Sequence, residues 1–189
     1  MSVAGGRTEL ARRHSLNVLT AVLFGLTFWR LGLAAELGAV LAFIFGGVLL
    51  AVIDWKVRRL PRRLVYFTMA GVAAGLLLAA LLQRDWEPLV TAAAGALLFA
   101  NVFALVYFLG KHVFGLMLLG FGDVRLVGVI GLLLGWYGLK WVLFGAIVGN
   151  LLALVVAVGM CVHQRKLVLQ FSFGPSLIAG AWLVVMIHG

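Results

Sequence analysis

Hydrophobic positions in this chain come in long unbroken runs, and polar positions fall between them. Seven such runs, at roughly 16–33, 37–54, 64–82, 88–109, 124–138, 140–160 and 171–187, predict seven membrane-spanning α-helices. The fold class is therefore all-α, a polytopic integral membrane protein. Arg7, Arg12 and Arg13 precede the first run, which ends in Leu33-Ala-Ala-Glu36, an arrangement similar to a signal peptide. Arg30 interrupts that run late and no soluble stretch follows, so a retained helix is favoured. Residues 1–36 are read as an N-terminal segment with its helix, and 37–189 as the membrane core.

Composition agrees with the pattern. Of 189 residues, 65% are hydrophobic and only 11% charged. The net charge of +9 would suggest nucleic-acid binding in a soluble protein. Here the cations lie in short segments between apolar runs, so orientation in the membrane explains them and no nucleic-acid partner is expected. With the N-terminus cytoplasmic, 12 of the 15 cations fall inside: Arg7, Arg12, Arg13, Lys56, Arg58, Arg59, Arg62, Arg63, Lys111, Arg125, Arg165 and Lys166. Arg30, Arg84 and Lys140 fall outside, and Trp29, Trp86, Trp136 and Trp141 sit at outer ends as interfacial anchors. The sequence has no Walker loop, GxGxxG or HExxH, and Cys161 is its one cysteine, so no disulfide, tetracysteine zinc site, metal or cofactor is expected.

Two carboxylates stand out against this background. Asp54 ends the run Gly46–Ile53, and Asp123 follows Gly120-Phe-Gly122. The topology puts both on the cytoplasmic side, and a carboxylate kept at membrane depth is a functional candidate by default. From Asp123 to Gly138 a helix would span roughly 22 Å, against a hydrocarbon core of about 30 Å. Asp123 is therefore expected several Å below the inner headgroups. Each residue also has an ordinary explanation: Asp54 paired with a cation of the 56–63 loop, Pro61 starting the third helix, Asp123 as an N-cap. Glycines at 120 and 122 would permit close backbone approach at a reacting carbonyl.

Other features read as structural. The pairs Gly71/Gly75, Gly131/Gly135 and Gly145/Gly149 have the spacing of close helix packing. Asn101 and Asn150 fall mid-helix, where interhelical hydrogen bonds are expected. His14, His112, His163 and His188 show no ligand spacing and read as interfacial.

Taken together, the motifs resemble the type IV prepilin peptidases, membrane aspartic proteases. Asp54 is followed seven residues later by Pro61; Gly120, Gly122, Asp123, Arg125 and Leu126 match Gly-x-Gly-Asp-x-Lys-Leu; Phe173, Gly174 and Pro175 match a late Phe-Gly-Pro. The match in order and spacing extends over about 37–187. Arg125 departs from the usual lysine, a planar fork in place of a point charge. The Gly-x-Gly-Asp element is also similar to that of presenilins and signal peptide peptidases, whose other aspartate is placed differently.

The resemblance implies an aspartic endopeptidase of the inner (plasma) membrane that removes the basic leader of pilin-like precursors at its cytoplasmic boundary. Asp54 and Asp123 would be catalytic, with Gly120, Gly122, Arg125, Gly174 and Pro175 in support. Without the tetracysteine domain of long members, peptidase activity without N-methylation is expected. Two like charges at close range do not both ionise cheaply, so the pair is expected to hold one proton. Basic loops would contact anionic lipid, and a homo-oligomer is compatible with the pattern. The competing readings are a non-enzymatic subunit of a pilus or secretion assembly, with the aspartates as caps, and a proton-coupled transporter. An inverted repeat, which would favour transport, is not visible.

Overall fold

The computed structural model describes the backbone of residues 3–57, 60–112, 120–164 and 173–188, and side chains at 16–54, 60–112, 120, 122–160 and 173–188. These residues form seven helices and no strand: α1 (Val3–Leu31), α2 (Leu37–Val57), α3 (Arg62–Gln83), α4 (Glu87–His112), α5 (Phe121–Gly135), α6 (Leu139–Gln164) and α7 (Gly174–His188). Four stretches, Leu37–Asp54, Arg62–Gln83, Glu87–His112 and Leu139–Met160, are long and apolar enough to cross a membrane; Leu16–Leu31 and Gly174–His188 are shorter apolar helices. The chain is an all-α polytopic membrane protein.

Several helix boundaries differ from the ends of the apolar runs, some lying outside them and some inside. The helix of α1 begins at Val3, well before the expected 16, because the polar residues ahead of the run continue the same backbone. The start of α5 moves from 124 to Phe121, which carries Asp123 into the first helical turn instead of the N-cap. Pro61 does start the third helix: its carbonyl accepts from Leu64 and Val65 N–H at 3.1 and 3.3 Å. Its fixed φ of −68° suits that place.

The shortest interior helix organises the bundle. Leu126, Val127, Val129, Ile130, Leu133 and Leu134 of α5 are all buried, and α5 packs against α2, α3, α4, α6 and α7. Glycine permits its approach to α4: a Cβ on Gly131 would lie 2.5 Å from the Gly95 carbonyl oxygen, and one on Gly135 2.7 Å from that of Thr91. The other expected pairs also pack closely, Gly75 on the Ala39 backbone and Gly149 on Leu177. Outward-facing side chains such as Leu82, Leu97, Leu105 and Val155 remain exposed, the apolar coat of a bundle in lipid.

Two expectations fail. Asn101 and Asn150 do not bridge helices. They are exposed, and each amide donates to its own helix four residues back, to Leu97 O at 2.7 Å and Ala146 O at 2.8 Å. Exposed on the outer face of the described helices, each takes the local carbonyl instead. Trp136 is buried in the core, unlike exposed Trp29 and Trp86, because the turn after α5 folds it inward. At the same end, His188 packs on Tyr137 and Trp141, with ring centroids 4.8 and 4.6 Å apart.

Candidate functional site

Alternation of helix direction brings the C-terminal end of α2 and the N-terminal ends of α3, α5 and α7 to one end of the bundle. Asp54, Asp123 and Gly174 all lie there. Asp54 is only 5% exposed, the one charged side chain buried among the described residues. It lies three residues before the end of α2, on the face turned toward α7. The first residue of α7 closes over it: a Cβ on Gly174 would lie 2.7 Å from Asp54 Oδ2 and 3.6 Å from Leu126 Cδ2 of α5. Glycine is thus what lets α7 start against this carboxylate.

Asp123 is half-buried and within electrostatic reach of Asp54. Its position is fixed by its own helix start. Gly120, extended at φ −80° and ψ 144°, is the N-cap, and Asp123 is the third helical residue. Gly120 N–H donates to Asp123 Oδ2 at 3.2 Å, while Asp123 N–H donates to Gly120 O at 3.0 Å. The carboxylate therefore reaches back over the first turn, where the helix dipole also favours it. One oxygen is held by the backbone.

The supporting residues divide in two groups. Gly120 and Gly174 touch the carboxylates. Gly122 instead makes room for the connection between α2 and α3, since a Cβ there would lie 3.0 Å from Leu60 Cβ. The two glycines thus differ in what they approach, Gly120 a carboxylate and Gly122 an apolar side chain. Arg125 is half-buried and reaches α3, its guanidinium carbon 5.9 Å from the centroid of Tyr66. Pro175 is half-buried beside Gly174 and borders an apolar cavity. Among the cations expected near Asp54, Arg62 and Arg63 are exposed. Lys56, Arg58, Arg59, Arg165 and Lys166 lie outside the described side chains, as do Arg7, Arg12, Arg13, His14, Cys161, His163 and Phe171.

Leu126, the last residue of the Gly-x-Gly-Asp motif, walls the site from α5. Sequence reasoning did not single out Leu60, which walls it from the α2–α3 connection; its signal was its place beside Pro61.

The site thus offers two carboxylates from separate helices, one sheltered and one tethered, a residue type able to take and give protons.

Comparison with known proteins gives an independent result. A sequence profile of the type IV leader peptidase family matches residues 41–184, which include every residue of the site. Three relatives named prepilin leader peptidase/N-methyltransferase align over nearly the whole chain. The Neisseria gonorrhoeae protein is 30% identical over 183 residues, 96% of this chain and 60% of the relative. That of Bacillus subtilis is 30% identical over 175 residues, 90% of this chain and 64% of the relative. That of Dickeya chrysanthemi is 33% identical over 173 residues, 90% of this chain and 57% of the relative. The chain thus spans about 60% of the length of these relatives. No solved structure matches.

Proposed function

Because the chain belongs to the type IV leader peptidase family, we propose that it is a membrane aspartic endopeptidase that removes the leader from pilin-like precursors. The observation that carries this reading is the convergence of Asp54 and Asp123 at one end of the bundle, within electrostatic reach of each other. Asp54 and Asp123 are the catalytic pair, and together they hold one proton. The ionised carboxylate takes a proton from water as the oxygen attacks the scissile carbonyl. The protonated partner donates to the carbonyl oxygen. Collapse of the resulting diol, with proton transfer to the leaving nitrogen, separates leader from mature protein. Gly120 holds Asp123 through its N–H, Gly174 leaves space at Asp54, Gly122 seats α5 against the α2–α3 connection, and Arg125 reaches α3.

The site faces the cytoplasm at the inner (plasma) membrane. The distribution of Lys and Arg supports this side, as does a substrate whose basic leader stays inside while its apolar helix enters the bilayer. The remaining basic residues contact anionic lipid.

Purified protein in detergent, incubated with a full-length pilin precursor, tests the reading. Release of the leader by the unsubstituted chain, and its loss in Asp54→Asn and Asp123→Asn, is the expected result. A precursor left intact by well-folded protein would return the chain to a non-enzymatic role in an assembly.

A further inference from the structure

An apolar cavity lies beside the carboxylates. It measures ≈600 Å³ and opens along the bundle between α1, α2 and α7, touching α6 at Leu152. Leu19 of α1, Val48 and Ala51 of α2, and Pro175 and Ala179 of α7 typify its lining, which contains no charged side chain. Its floor is the seam between α2 and α7, where a Cβ on Gly47 would lie 2.9 Å from Ile178.

Its relation to Asp54 gives it meaning. Phe43, Gly47 and Ala51 border the groove at four-residue intervals, and Asp54 continues the same stripe of α2 one turn further. On α7, Pro175 borders the groove directly after Gly174, the residue against the Asp54 carboxylate. The groove therefore runs from the carboxylate end of the bundle toward the opposite end, over about 16 Å from Phe43 to Asp54 at 1.5 Å per residue. Toward that opposite end α1 is tied to α7 by two hydrogen bonds. Trp182 Nε1–H donates to Thr27 Oγ1 at 3.1 Å, and Arg30 Nε–H donates to Met186 O at 3.2 Å.

We infer that this groove docks the apolar helix of the precursor, the segment immediately after the scissile bond. The inference rests on the peptidase reading above. A helix whose first residue is held at Asp54 must run away from the site along the bundle, and an apolar channel begins on that same helical stripe. A lipid chain would suit the lining equally. It would not account for the register between groove and carboxylate. In this arrangement the groove supplies affinity and sets the depth of the scissile bond, while the carboxylates do the chemistry.

Filling the groove separates the two roles. In Ala179→Phe and Val48→Phe, KM for the full precursor should rise about tenfold or more with kcat little changed. A short peptide carrying leader and scissile bond but no helix should be cleaved as by the unsubstituted protein. Leu97→Phe, on exposed α4, is the control. Unchanged KM for the precursor in both groove variants, or equal impairment on precursor and peptide, would overturn the inference while leaving the peptidase reading in place. Cleavage of neither substrate by the unsubstituted chain would overturn both. A photo-crosslinking residue at position 179, in protein carrying Asp123→Asn, gives a second readout independent of turnover. An adduct with the precursor helix supports docking, and adducts with lipid alone refute it.

Discussion

Gly174 and Asp54 meet so closely that a single added methyl group would lie 2.7 Å from the carboxylate oxygen. The contact joins α7 to α2 at the site itself, so the acid is enclosed by backbone instead of by a side chain that could swing away. Gly174→Ala should therefore push α7 off Asp54. An overpacked contact of this kind costs about 1–3 kcal/mol, and kcat/KM should fall by about tenfold or more. Turnover measured beside thermal unfolding in detergent checks this. Full activity in the variant would show that the contact has no part in catalysis.

Asp54→Asn and Asp123→Asn should each reduce turnover by about 10²–10⁴-fold while inserting normally. The amide keeps the shape but cannot pass the proton. Near-normal cleavage by either variant, with purified precursor, would remove that residue from the catalytic pair.

Asp123 has a second task that distinguishes its substitutions. Its carboxylate accepts from Gly120 N–H at 3.2 Å. Asn retains an acceptor there and Ala does not, so Asp123→Ala should lose about 1 kcal/mol of stability that Asp123→Asn keeps. Both should be inactive. Equal stability of the two variants would mean that the tether contributes nothing to the fold.

Packing of α5 on α4 should be as sensitive to added methyl groups as the distances imply. Gly131→Ala places Cβ 2.5 Å from the Gly95 carbonyl oxygen and should destabilise by about 1–3 kcal/mol. Gly128→Ala, whose Cβ meets Ala100 Cβ at an ordinary 3.7 Å, should be near neutral. Unfolding of the two proteins in one detergent measures the difference.

The proposed sidedness makes a separate prediction. In a Cys161→Ser background, a cysteine at exposed Asp85 should react with an impermeant reagent on intact cells, and one at exposed Arg62 only after lysis. The reverse pattern would move the carboxylates to the outer face.

Much of this arrangement was legible before any coordinates. Apolar runs located all seven helices, and Asp54, Asp123 and Gly174 drew attention through the residues around them. What the chain did not disclose was which groups meet. Gly122 and Gly120 are alike in sequence, yet one faces Leu60 and the other binds Asp123, because Gly120 is the N-cap three residues before Asp123 and Gly122 lies inside the first turn. Asn101 and Asn150 were misread for a related reason. Hydrophobicity on every side of a membrane helix erases the stripe that would reveal its inward face. The groove was invisible too, since α1, α2 and α7 line it with residues no different from those in contact with lipid.

The hydrogen bond from Trp182 to Thr27 connects residues 155 positions apart, between the most N-terminal and most C-terminal of the described helices. A ribosome delivers these helices in order, so α2 and α5, with Asp54 and Asp123, are made before α7. Until it arrives, Asp54 lacks its glycine cover and the groove lacks one wall. The enclosing contacts are of high sequence separation, and such contacts form late. The enclosure of Asp54 thus waits on the last helix, whose first residue is the glycine that covers it.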